Sequence, residues 1–235
     1  MKLIIGNKTY NDLNVNELID YFTKNTRLNL AVPFGPYGNN GSIKDELFVC
    51  QHIYDNLINI KKSDEAWNKI QEFYGHQYKI KFVQHFYDTF DRNEYNNIIS
   101  DHDLFSFSLC NGQLNHMGCP YEFSQPPRSG MALILKLIRE SVDIFVFGFS
   151  LTNEMRKTHY VKQHIFDREE DNRSGHCKLD EINIIRWLHH NNKIDATLCM
   201  LSDSVSAVLD CNGLIPTDRS IDIVKSIYTN LEIIK

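Results

Sequence analysis

Val142-Asp143-Ile144-Phe145-Val146-Phe147-Gly148-Phe149 is the stretch on which the fold turns. It is β-branched or aromatic at most positions and ends in Gly-Phe. A run of that kind reads as a strand buried on both faces, the pattern of a central strand in a parallel sheet. Directly before it, Ser129 to Glu140 has the apolar spacing of a strong amphipathic helix. A helix that feeds straight into a buried strand is half of a β-α-β unit.

Working outward, the same alternation recurs. Lys2-Leu3-Ile4-Ile5 followed by Gly6-Asn7 reads as a buried first strand and a turn. Residues 15–24 carry Val15, Leu18, Ile19 and Phe22 at helical spacing. Strands are expected at Leu28 to Val32, Leu47 to Cys50, Lys79 to Val83, Leu104 to Leu109 and Ile194 to Leu201. Helices are expected at 64–74, Lys178 to His190 and Ile221 to Leu231. The polar stretch 152–175 lacks a core period and reads as a lid or binding loop. The expectation is an α/β fold: one domain over 1–235, with a Rossmann-like, mainly parallel sheet flanked by helices. Such sheets bind ligands outside the carboxyl ends of their strands. The turns after Ile5, Val32 and Phe149 therefore carry the functional interest.

Composition narrows the function. The net charge of −5 disfavours nucleic acid as a partner, because phosphate backbones call for a basic surface. None of the six cysteines forms a CxxC pair, and several sit in apolar runs. They read as reduced core thiols in a cytoplasmic protein, not as zinc ligands. No apolar run is long enough for a signal peptide or a membrane span, although peripheral contact with a membrane is compatible with the sequence.

Four spots could carry chemistry, and each has a plain structural reading beside the functional one. Gly6-Asn7 is either a simple turn or a phosphate-binding turn; GxGxxG and Walker sequences are absent. Ser129-Gly130 opens a helix, where exposed amides bind anions, or Ser129 is only the N-cap. Asp101-His102-Asp103 spells a metal-diphosphate DxD pattern but reads better as a loop. His176 precedes the Lys178 helix, with Glu181 five positions on. A histidine at a helix N-terminus tends to stay neutral, which suits a general base; the alternative is a capping turn.

Taken in order, these pieces resemble the sialyltransferases that carry the animal-type sialylmotifs. Pro127-Arg128-Ser129-Gly130-Met131, the helix, and the strand ending in Gly148-Phe149 resemble the small motif. Gly6-Asn7, Arg27-Leu28-Asn29, Gly35, Gly41-Ser42 and Lys44 resemble a shortened large motif. His159-Tyr160 is similar to the third motif, and His176 with Glu181 to the very small motif. More loosely, the set is similar to the bacterial sialyltransferases of lipooligosaccharide synthesis. The resemblance covers about residues 1–50 and 126–195. The membrane anchor and the disulfide of the animal enzymes have no counterpart here.

The resemblance implies a variant GT-A-type fold with a lid, and an inverting transferase that needs no metal and no other cofactor. Its donor substrate would be CMP-sialic acid and its acceptor a glycan or glycolipid, in lipopolysaccharide or capsule synthesis. It implies His176 as base and His159 as the partner of the leaving phosphate. Asn7, Asn29, Ser129, Gly130 and Tyr160 would bind the donor, and Glu181 would be structural. Transfer from CMP-Kdo or another CMP-ulosonic acid is the alternative within this chemistry. A non-catalytic nucleotide- or glycan-binding protein is the alternative outside it.

Overall fold

The computed structural model describes residues 1–6, 8, 10, 12–28, 46–50, 80–84, 107–151 and 177–234. Five strands form one sheet: β1 (Lys2–Ile5), β2 (Asn25–Leu28), β3 (Glu46–Cys50), β4 (Ile80–Gln84) and β5 (Ile144–Phe147). Their order is β4-β3-β2-β1-β5, and every pairing is parallel. The expected mix of helices and parallel sheet is therefore present. From β1 the chain lays strands outward on one side through β4, then returns to add β5 on the other side of β1. That reversal makes the β1/β5 junction the topological switch point, where open α/β sheets place their ligands.

Apart from Lys2, both strands at the junction are apolar, because they are covered on both faces. All four residues of β1 and all four of β5 are buried. The ring of Tyr10 stacks on Phe147 at 4.8 Å between centroids, and Phe22 meets Phe145 at 5.1 Å. Helix α1 (Asn16–Asp20) turns Leu18 and Ile19 inward. Beyond β5 the sheet is extended by a single parallel bridge from Phe145 to Asp195.

Helix α3 (Ser129–Arg139) is buried along residues 129–137, more fully than an amphipathic surface helix would be. The cause is α2 (Phe107–His116), which lies against it; Gln113 Nε2 donates to the Leu135 carbonyl at 2.7 Å. The strand expected at Leu104 to Leu109 is overturned by α2, in so far as residues 107–109 are described. Its inward residues Cys110 and Leu114 are four apart, a helical spacing. Asn111 then ties down the connection to α3, donating to the Phe123 carbonyl at 3.0 Å and accepting from the Phe123 amide at 2.9 Å.

Helix α4 (Lys178–His190) has the expected bounds. The strand expected at Ile194 to Leu201 is instead the Asp195 bridge followed by a 3-10 turn, η1 (Thr197–Met200). Asp195 bends the chain there. Its carboxylate accepts from the Thr197 amide at 2.9 Å, the Ser220 hydroxyl at 2.8 Å and the Thr217 hydroxyl. Thr217 is the N-cap of α5 (Asp218–Ile227), and its side chain accepts from the Ser220 amide. The last helix ends before Leu231, because Tyr228 is extended. The chain instead forms β7 (Leu231–Ile234), parallel to β6 (Ala207–Asp210) in a separate two-stranded sheet. Of the second strand expected at Leu28 to Val32, only Leu28 is described, as the last residue of β2; the rest of that span, the helix expected at 64–74 and the 152–175 lid lie outside the described residues.

The N-terminal segment after β1 is closed by residues far along the chain. Lys8 Nζ donates to the Leu201 carbonyl at 2.6 Å, and the Tyr10 hydroxyl reaches the same oxygen at 3.4 Å. Asp203 accepts from the amides of Asp12 and Leu13, and the Tyr228 hydroxyl donates to the Asn14 carbonyl at 2.6 Å. Among the described cysteines, five are free thiols. Burial pushes the Cys199 thiol up to about 12, and its Sγ donates to the Val146 carbonyl. Such thiols are poor nucleophiles. No helix among the described residues is long and apolar enough to cross a membrane.

His189 has a structural task. Only 4% exposed, it takes the Ala196 amide on Nδ1 at 3.2 Å, and its Nε2 lies 2.8 Å from the Ile215 carbonyl. Those two bonds fix the neutral tautomer with its proton on Nε2. Replacing His189 by Ala strands a buried amide and a carbonyl, and urea denaturation should show a loss of about 2–4 kcal/mol. His190→Ala, on the exposed side of the same turn, should leave the midpoint nearly unchanged.

Candidate functional site at the strand switch point

The β1/β5 contact continues past the strands through main-chain bonds. Gly6 N–H donates to the Phe147 carbonyl at 2.8 Å, and Lys8 N–H to the Gly148 carbonyl at 2.9 Å. Here the two backbones come too close for side chains. A Cβ on Gly6 would stand 2.5 Å from the Gly148 carbonyl oxygen. Gly148 has φ +73°, in the left-handed region that glycine adopts without strain. The turn after Ile5 is thus a close crossing of two chain segments at the sheet's carboxyl edge.

Phe149 fills the space that the glycines leave. A Cβ on Gly6 would meet its Cδ2 at 2.9 Å, and one on Gly130 would meet its Cε1 at 2.6 Å. Leu28, at the carboxyl end of β2, would also be 2.8 Å from a Gly130 side chain. One aromatic ring therefore joins the ends of β1 and β5 to the first turn of α3. Three turns that lie far apart in sequence meet at a single edge of the sheet.

Ser129 and Gly130 are the expected site residues that the described structure places, and both are at this edge. Ser129 is 4% exposed. It is not the N-cap, contrary to the plain reading of the sequence: the cap position is Arg128, in an extended conformation and without a side-chain cap bond. Ser129 is the first helical residue. Gly130 is required by packing, since its missing side chain faces Phe149 and Leu28. Asn7, Asn29, His159, Tyr160 and His176 lie outside the described residues, as does Asp101-His102-Asp103.

The first turn of α4 grips the segment that leads into α3. Asp180 accepts from both the amide and the hydroxyl of Ser124, at 2.8 and 2.6 Å. Partial burial pushes the Asp180 carboxyl up, but the bonds from Ser124 and from the Cys177 thiol outweigh it and hold the group below its ordinary value. Glu181, 7% exposed, accepts the Arg128 amide at 2.7 Å and has the Arg128 guanidinium at 3.7 Å. Burial raises its carboxyl above the ordinary value, and Arg128 offsets only part of the rise. These contacts tie the first turn of α4 to the residue that caps α3.

Sequence pattern alone does not mark Phe149 or Arg128 as a separate site residue. The Gly-Phe ending of the β5 run was the one available signal for Phe149. A shallow depression of about 520 Å³, lined by Leu109, Gln113, His116, Ile138 and Arg139, opens at the far end of α3 and is remote from this edge. No protein-family model matches the chain, and no curated protein matches it.

Two outcomes follow from the geometry. Gly6→Ala must push against a main-chain carbonyl with little room to yield, so thermal melts should show a loss of about 3 kcal/mol. Glu181→Gln bears on pH. A carboxyl whose folded pKa is raised favours folding most below its unfolded pKa, and that contribution is lost as pH rises through the folded value. Stability of the native protein relative to Glu181→Gln should therefore fall as pH rises above the ordinary glutamate value of about 4, as read by urea midpoints over a pH series.

Proposed function

We propose that the protein is an inverting, metal-independent glycosyltransferase that moves sialic acid from CMP-sialic acid to a glycan hydroxyl. The observation that carries the proposal is the convergence of Gly6, Gly130 and Gly148-Phe149 at the switch point of a parallel sheet. These are the turns that resemble the large and small sialylmotifs, and they meet where such sheets hold nucleotides. The reading includes a GT-A-type variant fold, a single domain with a lid near 152–175, and a cytoplasmic setting in glycolipid or capsule synthesis.

In this reading the CMP moiety lies across the β1/β5 edge, held by Asn7 and Asn29. The sugar carboxylate faces the start of α3, where Ser129 and Gly130 offer a hydroxyl and helix-end amides. The acceptor oxygen attacks the anomeric carbon as the bond from that carbon to the phosphate oxygen breaks. His176 takes the acceptor proton, and CMP departs with the bonding electrons. His159 donates to the departing phosphate and Tyr160 assists. Direct displacement inverts the anomeric centre. CMP leaves with one phosphate, so its charge can be met by hydrogen bonds and histidine without a divalent cation.

Purified protein given CMP-sialic acid and a glycan acceptor in EDTA should release CMP; complete dependence on added metal would sink the metal-free mechanism. His176→Ala should lower turnover by about 10²–10⁴-fold while CMP affinity stays close to wild type. Unchanged turnover would remove His176 from the base role. Running CMP-Kdo beside CMP-sialic acid identifies the sugar.

A further inference from the structure

We propose that Glu181 is a positioning residue for the first turn of α3, acting through the main chain of Arg128. The inference rests on the CMP-sugar reading of the site and adds the support on which the donor-facing turn stands. Pro126 and Pro127 have no N–H, so Arg128 supplies the first main-chain donor of the residues that run into Ser129. That donor goes to Glu181 Oε1 at 2.7 Å. Arg128 gives α3 no side-chain cap, so the direction of the helix start is set from α4.

A carboxylate as buried as Glu181 is costly to keep in place without strong partners. Beside an anion site its charge would also repel the ligand. The Arg128 guanidinium at 3.7 Å counters that charge, and the carboxylate oxygen is engaged by the N–H at the helix cap. Asp180, its neighbour, holds Ser124 at the other end of the same segment. One turn of α4 thus fixes residues 124 and 128 together.

The test compares CMP affinity by calorimetry, donor KM, kcat and melting temperature for wild type, Glu181→Gln, Glu181→Met and Arg128→Pro. Gln keeps an acceptor for the Arg128 amide, and Met keeps the length without one. Proline removes the N–H at a φ of −66°, which its ring shares. Glu181→Gln should bind CMP within about twofold of wild type, whereas Glu181→Met and Arg128→Pro should each weaken CMP by about tenfold and raise donor KM more than they change kcat. Folded Met and Pro variants with wild-type CMP affinity would overturn the inference, as would Gln failing as badly as Met. If only one of those two folds, its affinity decides. Failure of both to fold would mark the contact as purely structural and overturn the positioning role. Wild type that binds no CMP would overturn the donor reading together with this one; wild type that binds CMP beside unaffected variants would overturn this one alone.

Discussion

The close crossing of Gly6 and Gly148 is the constraint from which the rest of the site follows. Two backbones meet there with a carbonyl where a side chain would otherwise stand. Because both positions lack Cβ, β1 and β5 stay paired to their carboxyl ends, and the two main-chain bonds beyond the strands can form. Because the crossing leaves a gap above it, Phe149 folds into that gap and reaches Gly130 on α3. Any side chain at Gly6 or Gly130 would displace the ring, and with it the alignment of sheet edge and helix start.

A second tier of contacts holds the helix start from behind. The Asp180 and Glu181 carboxylates sit next to each other, yet they are shifted in opposite directions. Asp180 keeps contact with water and gathers donors, so its charged form is favoured. Glu181 is buried, and its partners recover only part of the solvation it loses. The difference comes from burial and donor count, since both lie on the same helical turn. A comparable arrangement sits at the other edge of β5, where Asp195 gathers Thr197, Thr217 and Ser220 and so joins the sheet to α5.

How far the sequence could be read depended on whether a segment's pattern had one physical meaning. Ile144–Phe147 and Leu3–Ile5 are apolar without interruption, and a strand covered on both faces accounts for both. Lys178–His190 combines acidic residues in its first turn with apolar spacing, so its bounds were legible. Leu104 to Leu109 was ambiguous, because it alternates apolar and polar residues over a short span. The helical pair Cys110 and Leu114 decides the outcome, and it lies past that span. Ile194 to Leu201 is apolar enough for a strand, but the Asp195 bonds curl it into a 3-10 turn, and those partners come from residues 217 and 220. At the site, the opening of a helix at Ser129-Gly130 was legible, whereas the cap at Arg128 was not. The wedge formed by Phe149 was not legible either, since it depends on how closely segments from three parts of the chain approach.

The way the N-terminal segment is fastened has a consequence for the order in which the molecule can be assembled. Strand β1 leaves the ribosome well before β5, but its pairing with β5 needs residues 144–147, and the bonds that hold residues 8–14 need Leu201, Asp203 and Tyr228. At ordinary synthesis rates that is a wait of roughly 10–40 s, during which an apolar strand has one edge unpaired. Pairings so distant in sequence are slow to close. Strand β1 is therefore made before its partner β5 yet is among the last to be completed, and loss of the segment that carries Leu201, Asp203 and Tyr228 would undo the seating of residues 8–14.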